Sequence, residues 1–260
     1  MRFTDRIAKI IKQRQILKSM VVNNLRGKYI GSALGISWAV INPLLMMAAV
    51  SFVFTQIAKT KIPYYPLMAL SALLPWFFFI NSICESTNSM RGNADMLRQF
   101  VLPKEVIPIS IVFTDFVIFL LGFLFVLPIF VLFNTAIVKC LTLLPLLMFL
   151  HLLFTLGVSM LFSIVNIYLR DLSQFLSIGI MFLFWMTPIF YPLEAVPENY
   201  RWIIMANPGT SYMILYRSLL YHASFGEIRM WLFAIGFALT SITGAYIFFA
   251  SREADILKHI

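Results

Sequence analysis

Long apolar runs separated by short polar clusters dominate the chain. Six of them reach the roughly 20 residues that a helix needs to cross about 30 Å of hydrocarbon. They are 37–57, 66–85, 108–133, 141–166, 172–191 and 228–250. This pattern predicts an all-α integral membrane protein with six transmembrane helices in one transmembrane unit, 1–260. A proline inside a run, such as Pro128, is compatible with spanning, because neighbouring helices satisfy the backbone groups that it frees.

Four further segments cannot span. In residues 4–25, Ile7, Ile10, Ile11, Leu17, Val21 and Leu25 fall on one helical face about 120° wide at 100° per residue. Arg2, Arg6, Lys9 and Lys12 lie off that face, which predicts an amphipathic helix resting in the membrane interface. Arg14 and Lys18 intrude on it, so the helix bends there or the two side chains snorkel. The loop 86–107 contains a short helix at 93–100, with Asn93 as candidate N-cap and Met96, Leu97 and Phe100 as apolar positions. Those three either meet a partner or fold back against the membrane. Tyr168-Leu169-Arg170-Asp171 is a tight turn with orientation charges and a helix start. The segment 192–227 carries two apolar stretches, Trp202–Ala206 and Tyr212–Tyr221, turned at Asn207-Pro208-Gly209. Each is too short to cross, so they predict an outer re-entrant or interfacial pair, acting as a lid or as packing.

Composition and charge narrow the function class. Hydrophobic residues make up 61% of the chain and charged ones 12%, against about half and about 25% in ordinary soluble domains. That excludes a soluble enzyme, a nucleic-acid-binding domain and a disordered chain. The net charge is +9, and eight of the twenty Lys and Arg fall within residues 1–36, as expected beside anionic lipid heads. With the N-terminus inside, only Lys59, Lys61, Lys139, Arg201, Arg217 and Arg229 lie in outer segments, and the other fourteen lie inside. The positive-inside rule therefore places both termini in the cytoplasm. Met1–Arg6 has no apolar signal core, so no cleavable signal peptide is expected. Cys84 and Cys140 fall at opposite ends of their spans, which predicts two free thiols and no metal site.

Catalytic chemistry is not indicated. No G-x-x-x-x-G-K-[ST] run occurs, so ATP hydrolysis by a P-loop is not expected on this chain. His151 stands in the fourth run without a titratable companion there and reads as a hydrogen-bonded packing residue. Asp115 lies inside the third run and must face protein, a cavity or a cation, with Arg91, Arg98 or Arg170 as candidate partners. Glu85 lies at the inner edge of the second run. Phe175, Phe182 and Trp185 share one face of the fifth run, followed by Phe190 and Tyr191. Such a stripe serves helix packing, or a sugar track: ring faces pack on pyranose C–H faces and leave hydroxyls hydrated.

Five motifs in order resemble one known family. Leu25-Arg26-Gly27-Lys28-Tyr29-Ile30-Gly31-Ser32-Ala33-Leu34-Gly35, with Trp38 and Asn42-Pro43-Leu44-Leu45, is similar to the entry to span one of membrane subunits of bacterial ABC polysaccharide exporters. Phe100-Val101-Leu102-Pro103-Lys104-Glu105-Val106-Ile107-Pro108 resembles that family's loop before span three. Arg170-Asp171-Leu172 and Thr187-Pro188-Ile189-Phe190-Tyr191-Pro192 resemble its span-five boundaries, and Asn207-Pro208 with Tyr216-Arg217 its outer pair. The resemblance covers about residues 25–255 and is nearest to O-antigen exporter permeases, with teichoic-acid permeases close.

The resemblance implies a homodimer in the bacterial inner membrane, bound to two copies of a cytoplasmic P-loop ATPase that carries the ATP and magnesium. It implies no cofactor on this chain, a lipid-linked polysaccharide as substrate and no nucleic acid. Asp95, Met96, Leu97, Arg98 and Phe100 become the ATPase-coupling segment, and 4–25 the interface helix. Trp202, Pro208, Tyr212, Tyr216 and Arg217 become the outer gate. Trp38, Phe52, Phe175, Phe182, Trp185, Phe190 and Tyr191 become channel lining. Teichoic-acid, small-lipid or drug export, or ion-coupled secondary transport through Asp115 and His151, are the alternatives.

Overall fold

The computed structural model describes residues 13–99 and 103–259, and every regular element among them is helical. α1 (Arg14–Tyr29) precedes α2 (Trp38–Phe52), which a 3-10 turn (Gly35–Ser37) introduces and a π-helical turn (Val53–Ile57) extends. α3 (Tyr65–Gly92) leads through Asn93 into the short α4 (Ala94–Gln99). α5 (Val106–Phe133), the single turn α6 (Ile137–Cys140) and α7 (Leu144–Tyr168) follow. α8 (Leu172–Met186) precedes the pair α9 (Glu198–Ala206) and α10 (Pro208–Leu220), and α11 (Ile228–His259) is the last element described.

Among the described residues, five stretches are long and apolar enough to cross a membrane: Gly35–Ile57, Tyr65–Gly92, Val106–Phe133, Leu144–Tyr168 and Ile228–Arg252. The expected span 172–191 differs. Its helix α8 has 15 residues, which is about 22 Å at 1.5 Å per residue, and Thr187–Tyr191 leaves the helix. Pro188 supplies the reason: it forces the preceding Thr187 into extended backbone, with ψ 134°. Elsewhere the helices overrun the expected boundaries, α3 to Gly92 and α11 to His259.

α3 and α7 are the most buried of the spans. α7 packs on α3 and most extensively on α11, α5 packs on α3, and α2 packs on both α3 and α5. Lipid is as apolar as leucine, so helices associate in it through close backbone approach at small residues. Gly157 is such a place, because a Cβ there would sit 2.4 Å from the Ser241 carbonyl carbon of α11. Gly122 is another: its Cβ would lie 3.3 Å from the Ala39 carbonyl oxygen of α2. At one end of the bundle α3 and α7 are also tied by polar groups. The Asn166 amide donates to the Thr87 carbonyl (2.9 Å) and the Asn88 side chain (3.2 Å), and Arg91 donates to the Ile167 carbonyl (3.3 Å).

α1 carries out the amphipathic expectation over its described length. Leu17, Met20, Val21, Asn24, Leu25 and Lys28 form its half-buried face, and α1 lies along α5. Arg14 and Lys18 are exposed on an unbroken helix that runs four residues past Leu25. The part of the 4–25 expectation on residues 4–12 lies outside the described residues. In the helical pair, the Asn207 side chain accepts from the Gly209 N–H (3.0 Å) and so caps α10, with Pro208 at its first position. α10 enters the bundle, and only Pro208, Ile214 and Ser218 along it are incompletely buried. Cys84 and Cys140 are both free thiols.

Candidate functional site

α2 and α8 each present an uncovered apolar face, as do α5 (Leu120, Leu124, Phe125, Leu132) and α11 (Leu232, Leu239, Ile247). On α2, Trp38, Leu45 and Phe52 recur every seven residues and are exposed; on α8, Phe175, Ile178, Phe182 and Trp185 are exposed, Phe175 to 71%. Both helices pack on α3, and near α2's far end Phe54 stacks on Tyr65 and Phe190, with centroids 5.2 and 6.2 Å away. Phe190, expected to line a path, is instead buried (3% exposed) against Phe54, Phe184 and Trp185. The helical spacing of the stripe stops at Pro188, so it no longer dictates where Phe190 points. Tyr191 is half-buried, and its hydroxyl donates to the carbonyls of Trp185 (3.0 Å) and Met186 (2.9 Å).

A charged cluster occupies the α1 end. The Lys28 ammonium donates to Asp115 of α5 and, at 2.7 Å, to Glu85 of α3. The side chains of Asp115, Lys28 and Glu85 are 4%, 24% and 43% exposed. Burial by itself lowers the pKa of Lys28, but the charges of Asp115 and Glu85 outweigh it and raise the net value. Lys28 therefore stays an ammonium at neutral pH. The partner of Asp115 is thus none of Arg91, Arg98 and Arg170. The signal for it was in the sequence: Lys28 continues the apolar face of α1 set by Leu17, Val21 and Leu25, where a lysine needs a buried partner. Asn24 on the same face donates to Ser110 of α5 (3.3 Å).

His151 is fully buried in an aromatic cage, 4.9 Å from the Tyr212 ring and 5.2 Å from the Phe78 ring. It packs as expected, but neither ring nitrogen has a hydrogen-bond partner among the described residues. In α4, Asp95 and Arg98 are exposed, Met96 is half-buried and Leu97 is buried (4% exposed) within the core. Leu97 is therefore an anchor for this turn, not an exposed apolar position. Asn93 does not act as the expected N-cap, since its amide donates to the Ser89 carbonyl (2.9 Å) and closes the end of α3. Phe100 lies outside the described residues.

Of the expected gate residues, Trp202 is exposed and Pro208 half-buried, whereas Tyr212, Tyr216 and Arg217 face the bundle interior. The Tyr212 hydroxyl donates to the Ala234 carbonyl (2.7 Å). Arg217 donates to the carbonyls of Pro188 (2.6 Å), Ile189 (2.8 Å) and Tyr191 (3.0 Å), which holds the turn after α8. Burial lowers its pKa to about 10, so it remains charged at neutral pH. The stretch Tyr212–Tyr221 by itself does not show this burial, which depends on the helices packed around it.

The family model for ABC-2 type transporters matches residues 15–221. The chain belongs to this family. It is therefore a multi-pass membrane component of an ABC transporter. Two O-antigen export system permease proteins RfbA of Klebsiella pneumoniae are 35% and 34% identical to it, each over 92% of this chain and 94% of the relative. A protein of the same name from Myxococcus xanthus is 27% identical over 98% of both chains.

Proposed function

We propose that this ABC-2 family chain is the channel-forming permease subunit of an ATP-driven exporter that moves lipid-linked O-antigen polysaccharide across the bacterial inner membrane. The end-to-end similarity to O-antigen export permeases carries the reading. Two copies form the path, each bound to one of two cytoplasmic P-loop ATPase subunits that hold ATP and magnesium. The uncovered aromatic face of α2 and α8 supports a surface that meets the second copy or the sliding polymer. The excess of basic residues in the inner segments supports cytoplasmic termini.

The chain's own part is mechanical. α4 presents Asp95 and Arg98 outward while Leu97 is seated in the core, and Asn93 joins it to α3. A push from the ATPase on α4 is thereby passed into α3, on which both α2 and α8 pack. The test is complementation of a strain deleted for the permease, with surface O-polysaccharide read by immunoblot and partner ATPase by affinity capture. Wild type restores the polysaccharide ladder and captures a P-loop ATPase. The charge reversals Asp95→Lys and Arg98→Glu lose the ladder while the protein stays in the membrane. A wild-type permease that leaves the strain without surface polysaccharide refutes the reading.

A further inference from the structure

Between α1, α2, α3 and α5, beside the charged cluster, lies a cavity of about 640 Å³. Its wall combines Lys28, Glu85 and Asp115 with Trp38, Asn42 and Asn81. Asn42 and Asn81 are exposed, sit well inside spanning helices, and make no side-chain hydrogen bond among the described residues. A primary amide left unpaired in hydrocarbon is costly. This mouth therefore faces water or a polar ligand, unlike the wholly apolar stripe of α8.

The wall also selects the ligand's chemistry. One ammonium against two carboxylates leaves a formal charge of −1, which opposes phosphate and pyrophosphate and favours hydroxyl donors. The half-exposed Trp38 ring supplies an apolar face beside two amides that both donate and accept. The volume is within the range of small-molecule sites, about 300–1,000 Å³. We infer that this cavity is a saccharide-binding subsite, in which Asn42, Asn81 and the exposed Glu85 carboxylate bind pyranose hydroxyls while Trp38 packs on the ring. The inference rests on the proposed export of a polysaccharide and adds where, within one protomer, a sugar is held.

The test uses the purified permease–ATPase complex in detergent. It is titrated with oligosaccharide released by mild acid from the producing strain's own lipopolysaccharide, and binding is read by saturation-transfer NMR. Sodium pyrophosphate is added in parallel as competitor. The Asn42→Leu/Asn81→Leu double variant weakens saccharide binding about tenfold or more, as expected for lost hydrogen bonds. The Asn42→Gln/Asn81→Gln double variant, which keeps both amides, stays near wild type and separates ligand loss from misfolding. Undiminished binding by the leucine variant, or displacement of the saccharide by pyrophosphate, overturns the subsite. Complementation separates the two readings. If wild type restores surface polysaccharide but the leucine variant binds saccharide as wild type does, only the subsite fails. If wild type restores none, the export reading fails and the subsite with it.

Discussion

Replacing Lys28 with methionine isolates the charged cluster. The substitution keeps the stem length and removes the ammonium that Asp115 and Glu85 share. Removing one member of a buried ion pair costs about 3–5 kcal/mol, because the other is left charged and unpaired. Asp115, at 4% exposure, fits that case; Lys28 is a quarter exposed beside an open cavity, which admits water and reduces the cost to about 2–3 kcal/mol. Glu85 is far more exposed, so Glu85→Gln costs about 1 kcal/mol or less. The Lys28→Met/Asp115→Leu double variant restores most of the loss, since apolar replacements of a buried pair are often neutral. Reversible unfolding in mixed detergent of wild type, Lys28→Met, Asp115→Leu and their double variant completes a double-mutant cycle, with Glu85→Gln measured alongside. Equal losses for Lys28→Met and Glu85→Gln, or a double variant no better than Lys28→Met, refute the assignment of Asp115 as the dominant partner. The pH dependence has a definite sign. The pKa of Lys28 is raised above its ordinary 10.5, so its contribution is fully present below 10.5 and is lost only as pH rises beyond it. Wild-type stability therefore shows no loss from this group between pH 7 and pH 9.

Three other expectations concern the rest of the bundle. Gly157→Ala puts a methyl against the α11 backbone and destabilises by about 1–3 kcal/mol or more, seen as a lower melting midpoint by fluorescence-detected size exclusion; an unchanged midpoint contradicts the close approach. Arg217→Met removes three charge-assisted hydrogen bonds to the turn after α8 and costs about 3 kcal/mol or more, with Arg217→Lys intermediate in the same assay; equal midpoints for wild type and Arg217→Met count against it. Burial, then the nearby Arg217 charge, lowers the pKa of His222 from its ordinary 6.5, although Glu194 opposes this. The unfolded chain thus binds the proton first as pH falls below 6.5, and stability declines there. A His222→Gln variant loses less stability than wild type between pH 6.5 and pH 5, measured by the same midpoints.

The helical class and nearly every span were legible in the sequence, because apolar runs of this length have no other stable form in a bilayer. The amphipathic face of α1 and the turn at Asn207-Pro208 were legible for the same local reasons: helical periodicity and capping chemistry act over a few residues. That Phe175, Phe182 and Trp185 share one face of α8 followed from spacing too, up to the point where Pro188 ends the helix. What the chain could not reveal is which buried groups meet. Glu85 and Asp115 lie 57 and 87 positions from Lys28, and only the packing of α1 on α5, and of α5 on α3, brings them together. The same holds for Arg217 and the turn after α8, for Leu97 in the core, and for Asn42 and Asn81 in the wall of one cavity. Local sequence sets each helix and its apolar face; how the helices cross, fixed by close approaches such as Gly157 on Ser241, decides which polar groups are paired, buried or left open to a ligand.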